Sequence, residues 1–152
     1  MDRAPLPECD AVICIGECLN YRFGPARSLA RFFPRVYAAL RPGAVFVFDA
    51  ATPDRIPAGS SGRQWMEGAG WVILVEARGD RRRNTLARSL VTFRKVVDCY
   101  RRSEEHHHLQ LYRFPDKTQA LDHAGFEARK LRAFGRFRLP RGVRGFAARK
   151  PA

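Results

Sequence analysis

The chain has 152 residues, of which 45% are apolar and 28% charged, a composition typical of a globular domain rather than of a disordered segment. No apolar run approaches the roughly 20 residues that span a bilayer and no apolar signal-peptide core follows Met1, so we expect a cytoplasmic protein without a membrane partner. The net charge of +13 admits a nucleic-acid partner, but only four of the 28 basic residues are Lys, and the arginines are spread along the chain. We therefore favour a solvated basic surface over a nucleic-acid-binding module.

Neither the cysteines nor the histidines have the spacing of a metal site. None of the four cysteines forms a C-x-x-C pair, and reduced thiols are expected in a cytosolic protein. His106, His107 and His108 are consecutive, so on a strand only the first and third share a face. We expect surface histidines beside Glu104 and Glu105, and no metal.

The first elements in chain order predict a strand–helix–strand unit. Residues 10–16 (DAVICIG) form a nearly continuous apolar run, typical of a strand buried on both faces. Apolar residues then recur every three or four positions over 25–40, a segment that opens on Pro25. This spacing predicts an amphipathic helix that the Pro-Gly pair at 42–43 ends and that Pro34 either kinks or restarts. Residues 44–49 (AVFVFD) predict a second strand, parallel to the first.

The middle of the chain has a different pattern. Residues 50–70 are rich in Pro, Gly and Ser and predict a long loop. Three segments, 71–78, 84–97 and 100–112, then predict antiparallel strands joined by polar turns. A helix over the first part of the second segment, 84–90, stays open as an alternative.

The last segments predict a helix and two strands. Residues 115–125 begin with Pro and end with Gly, which is typical of a short capped helix. Residues 126–134 and 145–149 predict strands, with a turn at 136–144 where Pro and Gly interrupt the apolar pattern. The order of elements therefore predicts an α/β domain with an antiparallel β insert.

Three segments in this order resemble class I S-adenosylmethionine-dependent methyltransferases. DAVICIGECLNY is similar to that family's fourth strand and the loop after it. LARFFPRVYAALRPGAVFVFDAATP is similar to its next helix, its Pro-Gly turn and its fifth strand. HAGFEARKLRAFGRFRLPRGVRGFAARKP is similar to its sixth and seventh strands. The resemblance implies a Rossmann-like methyltransferase half-sheet, strands four to seven, in a single partial domain of residues 1–152. Its core would be 1–54 and 113–152, and its antiparallel insert 70–112.

The same resemblance implies methyl transfer from S-adenosyl-L-methionine to a small-molecule acceptor. The family's glycine-rich cofactor loop and its ribose-binding acidic residue have no counterpart in this sequence. We therefore expect an N-terminally truncated fragment that binds the cofactor weakly or not at all. A non-catalytic relic, self-associating or pairing with another chain through the exposed edge of its first strand, is the alternative.

Ligands of open α/β sheets bind beyond the carboxyl ends of the strands, which with the resemblance implies a set of site residues. Ile15, Gly16 and Glu17 would contact the cofactor. Glu17 either deprotonates the acceptor or caps its loop. The acceptor side would consist of four further residues: Asn20, Tyr21, Asp49 and Trp71.

Each of three acceptor-side residues also has a purely structural interpretation. Tyr21 either shapes the pocket or covers the strand edge. Asp49 either orients the acceptor or caps the next turn through local backbone bonds. Trp71 either covers the acceptor site or packs between the insert and the core.

Overall fold

A computed structural model of the chain describes residues 5–21 and 27–152, without the side chains of Arg27, Ser28 and Phe114. The predicted helix start at Pro25 lies outside these residues. Within the described residues, two α-helices, three short 3-10 turns and ten strands follow one another. The strands and helices are β1 (Cys9–Cys14), α1 (Arg27–Ala39), β2 (Leu40–Ala51), β3 (Ser61–Gly68), β4 (Trp71–Asp80), β5 (Thr85–Val96), β6 (Cys99–Gln110), α2 (Phe114–His123), β7 (Glu127–Leu131), β8 (Ala133–Phe134), β9 (Phe137–Arg138) and β10 (Val143–Arg149).

The main sheet has the strand order β1–β2–β10–β7. β1 and β2 are parallel, as a strand–helix–strand unit requires, and β10 runs antiparallel to both of its neighbours. Alternate residues Phe46 and Phe48 of β2 share a face with Phe146 of β10, and α1 and α2 pack on that face through Phe33 and Leu121. The predicted α/β class and its half-sheet are confirmed.

The helix α1 passes through Pro34 without a break in its assigned span. It ends at Ala39, and β2 begins directly at Leu40. The Pro-Gly pair at 42–43 therefore lies within the second strand rather than in a separate turn. Gly43 has φ +80°, a value that glycine adopts at no steric cost.

The outer face of β1 is exposed, contrary to the expectation of a strand buried on both sides. Ile13 is 71% exposed and Ile15, just beyond the strand, 45%. Within the described ranges β1 pairs with β2 alone. The apolar run therefore predicted the strand correctly. The prediction that both of its faces are buried is wrong, because no described element covers the outer face of β1.

The insert is a four-stranded antiparallel sheet in the order β3–β4–β5–β6. The prediction of a long loop over 50–70 is wrong for Ser61–Gly68, which forms β3 and pairs along its whole length with β4. Seven of the eight residues of β3 are exposed, so pairing rather than an apolar pattern makes it a strand. The sheet accordingly begins at Ser61 rather than at residue 70. The helix alternative for 84–90 is wrong, because Asn84 lies in a turn and β5 begins at Thr85.

The two sheets meet at a second apolar cluster. Leu86 of β5 and Leu109 of β6 are buried there with three residues from the loops and strand ends around them, Ala51, Ile56 and Leu111. Near the end of the chain, two strands of two residues each, β8 and β9, form a hairpin. β8 lies in the predicted strand 126–134, and β9 lies in the segment predicted as a turn. Neither helix in the part of the chain that the structure describes is long and apolar enough to cross a membrane.

Candidate functional site

The loop after β1 is fixed by a carboxylate at the end of β2. Asp49 is buried, and its Oδ2 accepts a hydrogen bond from the backbone N–H of Gly16 at 3.1 Å, while its Oδ1 accepts one from Glu17 at 2.6 Å. Gly16 and Glu17 both have positive φ, 93° and 60°. The chain therefore turns sharply at the carboxyl end of the sheet, and the carboxylate of Asp49 satisfies the two N–H groups that the turn exposes.

Glu17 lies on the inner side of this turn and holds two arginines. Its Oε1 is 3.1 Å from Nε of Arg55, and its Oε2 is 2.7 Å from Nη1 of Arg88. Arg55 belongs to a 3-10 turn after β2, and Arg88 to the insert strand β5. Both are charge-assisted hydrogen bonds in a partly buried setting, where such bonds are stronger than neutral ones.

Asn20 joins the loop to both sheets and is fully buried. Its Nδ2 donates to the carbonyl oxygen of Ala51 at 3.0 Å and to that of Gln110 at 2.6 Å, and its Oδ1 accepts from the backbone N–H of Ala51 at 2.7 Å. The amide nitrogen thus donates twice and the amide oxygen accepts once. The residue thus fixes the end of β2 against the end of β6.

Tyr21 extends the same connection along β6. Its backbone forms an antiparallel bridge with Leu109, and its hydroxyl lies 2.9 Å from Nδ1 of His107. The two rings meet edge to face at 5.3 Å. Burial raises the pKa of Tyr21, and the nearby Arg88 guanidinium opposes that rise.

The structure does not bring Trp71 to this loop. Trp71 pairs with Gly68 and Arg94 at one end of the insert sheet, whereas Arg88 pairs with Ala77. At about 3.3 Å per residue, Trp71 lies about 20 Å along β4 from that pair. The indole instead covers Gly68 of its own hairpin, where a Cβ would lie 2.5 Å from the ring.

A groove of about 180 Å³ adjoins the partners of Glu17. Arg55 and Arg88 both line it. Its other lining residues come from the 3-10 turns and from β3, β4 and β5: Pro57, Gly62, Arg63, Gln64, Val75, Ala77 and Leu86. A polar or anionic group in this groove would meet guanidinium N–H donors beside the loop after β1.

Sequence reasoning selected Ile15, Gly16, Glu17, Asn20, Tyr21 and Asp49, and the structure brings these six residues together at the carboxyl ends of β1 and β2. It missed Arg55 and Arg88. No signal in the sequence distinguishes these two among 28 basic residues. His107, interpreted from the sequence as a surface histidine, bonds Glu105 as well as Tyr21.

No protein-family model matches the chain, and no curated protein matches it significantly. Solved structures do. An S-adenosylmethionine-dependent methyltransferase from Clostridium acetobutylicum ATCC 824 superposes with a TM-score of 0.79 at 16% identity, over 96% of this chain and 60% of its own. DesVI from Streptomyces venezuelae gives 0.73 at 17% identity, over 96% and 60%. The sugar N-methyltransferase KedS8 from Streptoalloteichus sp. ATCC 53650 gives 0.68 at 22% identity, over 96% and 57%.

These similarities define the class of fold: the chain has the fold of class I S-adenosylmethionine-dependent methyltransferases, as its motifs implied. It spans about 60% of the length of the first two of these relatives. The shared part contains the main sheet and the insert, since 96% of the chain is aligned.

Proposed function

We propose that this chain takes part in methyl transfer from S-adenosyl-L-methionine to a small-molecule acceptor. The observation that carries the proposal is the superposition of nearly the whole chain on an S-adenosylmethionine-dependent methyltransferase with a TM-score of 0.79. The loop after β1 supports it, because it lies at the carboxyl ends of parallel strands, where open α/β sheets bind ligands.

The residues at the turn fit an edge contact with the cofactor. The side chain of Ile15 is partly exposed, and no atom lies within 4 Å of the position that a Cβ would take on Gly16. A flat apolar group therefore has room beside them. The backbone donors of Gly16 and Glu17 already bond Asp49, so the contact would consist of packing rather than of hydrogen bonds. When bound, the cofactor supplies an electrophilic methyl group on a sulfonium.

The sequence left Glu17 either as an acceptor-side base or as a cap of its loop, and its side-chain contacts support a third role, the anchoring of two arginines. A general base must accept a proton, and protonation of Glu17 would discharge the carboxylate that pairs with both Arg55 and Arg88. We therefore assign Glu17 the role of holding the two guanidinium groups at the groove. Asp49 takes the matching backbone role, because both of its oxygens are occupied by the turn.

The groove beside Arg55 and Arg88 is the proposed acceptor site. Its donors suit an acceptor with hydroxyl or anionic groups. The names of two similar structures, an amino pentose methyltransferase and a sugar N-methyltransferase, suggest amino sugars as the first acceptor class to test. For an amine, holding the nitrogen in line with the methyl group supplies most of the catalysis.

The cofactor contact is tested by titrating S-adenosylhomocysteine into the chain while following backbone amide signals. We expect saturable shifts at Ile15 and Gly16 in the millimolar range, because only an edge contact is present. Ile15→Asn should abolish them, whereas Val97→Asn, at an 82% exposed turn, should not. Absence of shifts at the two amides would contradict the contact, and micromolar binding would contradict the expected weakness.

The acceptor site is tested separately, by methyl transfer to amino sugars at saturating cofactor. We expect Arg88→Gln to raise the KM for the sugar while the cofactor titration is unchanged. An unaltered KM for the sugar would contradict the assignment of this groove as the acceptor site.

A pairing role is a second candidate, because among residues 5–21 and 27–152 β1 pairs with β2 alone. Ile13 is exposed beside the other edge of β1, and open strand edges accept a further strand. Ile13→Lys would reduce self-association measured by sedimentation if a second copy pairs there, and would leave it unchanged otherwise. Nucleic-acid binding is less favoured, and a shallow dependence of affinity on salt concentration would remove it.

A further inference from the structure

The outer strand of the insert sheet presents an edge with charged side chains. β6 pairs with β5 on one side, and its first eight residues are exposed. Near its other end, Tyr21 pairs with Leu109 and Asn20 bonds Gln110. The described residues thus leave the strand edge open over the part before His107 and close it beyond. Long exposed edges without Pro are unusual in proteins that stay monomeric.

The sequence of this open edge is complementary to itself. Arg101-Arg102-Ser103-Glu104-Glu105 reverses its charge about the central serine. We propose that a second copy of this chain pairs antiparallel with β6, with Ser103 opposite Ser103. Arg101 of each copy then faces Glu105 of the other, and Arg102 faces Glu104, so that four opposite-charge pairs form across the two strands. Directly opposed unlike charges stabilise antiparallel pairs, and like charges destabilise them.

The charges select one register and one direction. A shift of one residue on each strand in either direction opposes Arg102 to Arg102 or Glu104 to Glu104. Parallel pairing in register opposes every like charge. A slip of one residue on one strand would also turn all of its side chains to the opposite face of the sheet. The pairing about Ser103 is therefore well determined.

In this pairing the corresponding faces of the two insert sheets also lie on the same side. Side chains alternate along β6, so Arg102 and Glu104 share one face, and Arg101, Ser103 and Glu105 share the other. A two-fold axis perpendicular to the sheet keeps each face on its own side. The product is a continuous eight-stranded antiparallel sheet. Within one chain Arg102 already bonds Glu104 at 2.9 Å, so the carboxylate would gain a second guanidinium from across the axis.

The edges of β3 and β1 fit a second copy less well. On β3, Arg63 and Glu67 lie symmetrically about Trp65, which offers one kind of opposite-charge pair instead of two. β3 has eight residues, against twelve in β6. β1 carries a single charged residue, Asp10, and has no such symmetry.

The pairing would reach the candidate site. In the proposed register Cys99 of the second copy stands opposite His107, whose ring bonds the hydroxyl of Tyr21. The turn that precedes Cys99 would therefore adjoin the loop after β1. The inference does not depend on the proposed methyl transfer, because the dimer would form without cofactor or acceptor.

Charge reversal tests the interface by sedimentation equilibrium. We expect a dimer whose dissociation constant rises at least tenfold in Arg102→Glu and in Glu104→Arg. The double variant Arg102→Glu/Glu104→Arg should restore it, as should an equal mixture of the two single variants, because both combinations again oppose unlike charges. Arg63→Glu on β3 is the matched control and should leave the dimer intact. A monomeric chain, failure of the double variant to recover, or a dimer lost only in Arg63→Glu would overturn the proposal.

A disulfide tests the register. Facing residues of an antiparallel pair have Cα atoms about 4.5–5.5 Å apart, within the range that a disulfide bridges. In a chain whose exposed cysteines are removed by Cys18→Ser and Cys99→Ser, Ser103→Cys should form a covalent dimer on mild oxidation. The control Ser61→Cys, at the start of the opposite edge, should not. Equal cross-linking of both variants would contradict the Ser103-centred register.

Discussion

Replacement of Asn20 by Ala should destabilise the chain more than the small size of the lost side chain suggests. The buried amide makes three hydrogen bonds, at 2.6, 2.7 and 3.0 Å, to the backbones of Ala51 and Gln110. At about 1 kcal/mol of net stabilisation per bond, the loss amounts to about 3 kcal/mol. Asn20→Asp should cost at least as much, because a carboxylate oxygen would replace the Nδ2 donor and face two carbonyl oxygens.

Urea unfolding measures this loss. With a slope of about 2 kcal/mol per M for a small domain, the midpoint should fall by about 1.5 M, and the slope should stay the same. The matched control is Gln119→Ala on the exposed surface of α2, which should change the free energy of unfolding by less than about 0.5 kcal/mol. If Asn20→Ala changes it as little as the control does, the amide does not join the two sheets in the way the distances indicate.

Three further predictions concern the buried charged groups and the thiols. Burial lowers the pKa of Lys117 from 10.5 to about 8. The folded chain therefore loses the Lys117 proton at lower pH than the unfolded chain does, and the free energy of unfolding rises between pH 8 and 10.5. Lys117→Met should raise the free energy of unfolding at pH 7 by about 1–3 kcal/mol and remove that pH dependence. Glu17→Gln removes the negative charge and one of the two acceptor oxygens that hold two partly buried guanidinium groups. It should lower the free energy of unfolding by about 2 kcal/mol in urea unfolding, whereas an unchanged midpoint would contradict the anchoring role. Burial raises the pKa of Cys14 to about 12, so iodoacetamide should label the exposed Cys18 and Cys99 long before Cys14, as peptide mass spectrometry would show.

The main sheet could be predicted from the sequence because its signals are local. β1 and β2 are short apolar runs, and α1 has an apolar stripe that includes Phe33 and Val36. β3 has no such signal. Its side chains are mostly exposed, and its strand conformation comes from pairing with β4 through a tight turn. A strand stabilised by its partner rather than by burial leaves no apolar alternation to detect.

The candidate site could be predicted only as far as one loop. Glu17 and Asp49 were identifiable because each follows or ends an apolar strand on the functional side of the sheet. The arginines that pair with Glu17 lie 38 and 71 residues farther along the chain, and nothing local indicates which basic residues return to this point. The expectation for Trp71 assumed an insert lying over the loop, whereas the strand register places that end of β4 far from it.

The loop after β1 connects the main sheet with two strands of the insert sheet, β5 and β6. Asp49 fixes its backbone to the main sheet, Glu17 reaches β5 through Arg88, and Tyr21 reaches the edge of β6 through His107. A ligand that orders this loop would therefore also order the end of the strand on which the proposed dimer forms. By linkage, any such effect is reciprocal: if dimer formation tightens binding at Gly16, ligand binding tightens the dimer by the same factor. The conformation of one short loop thus connects the proposed ligand site with the proposed interface.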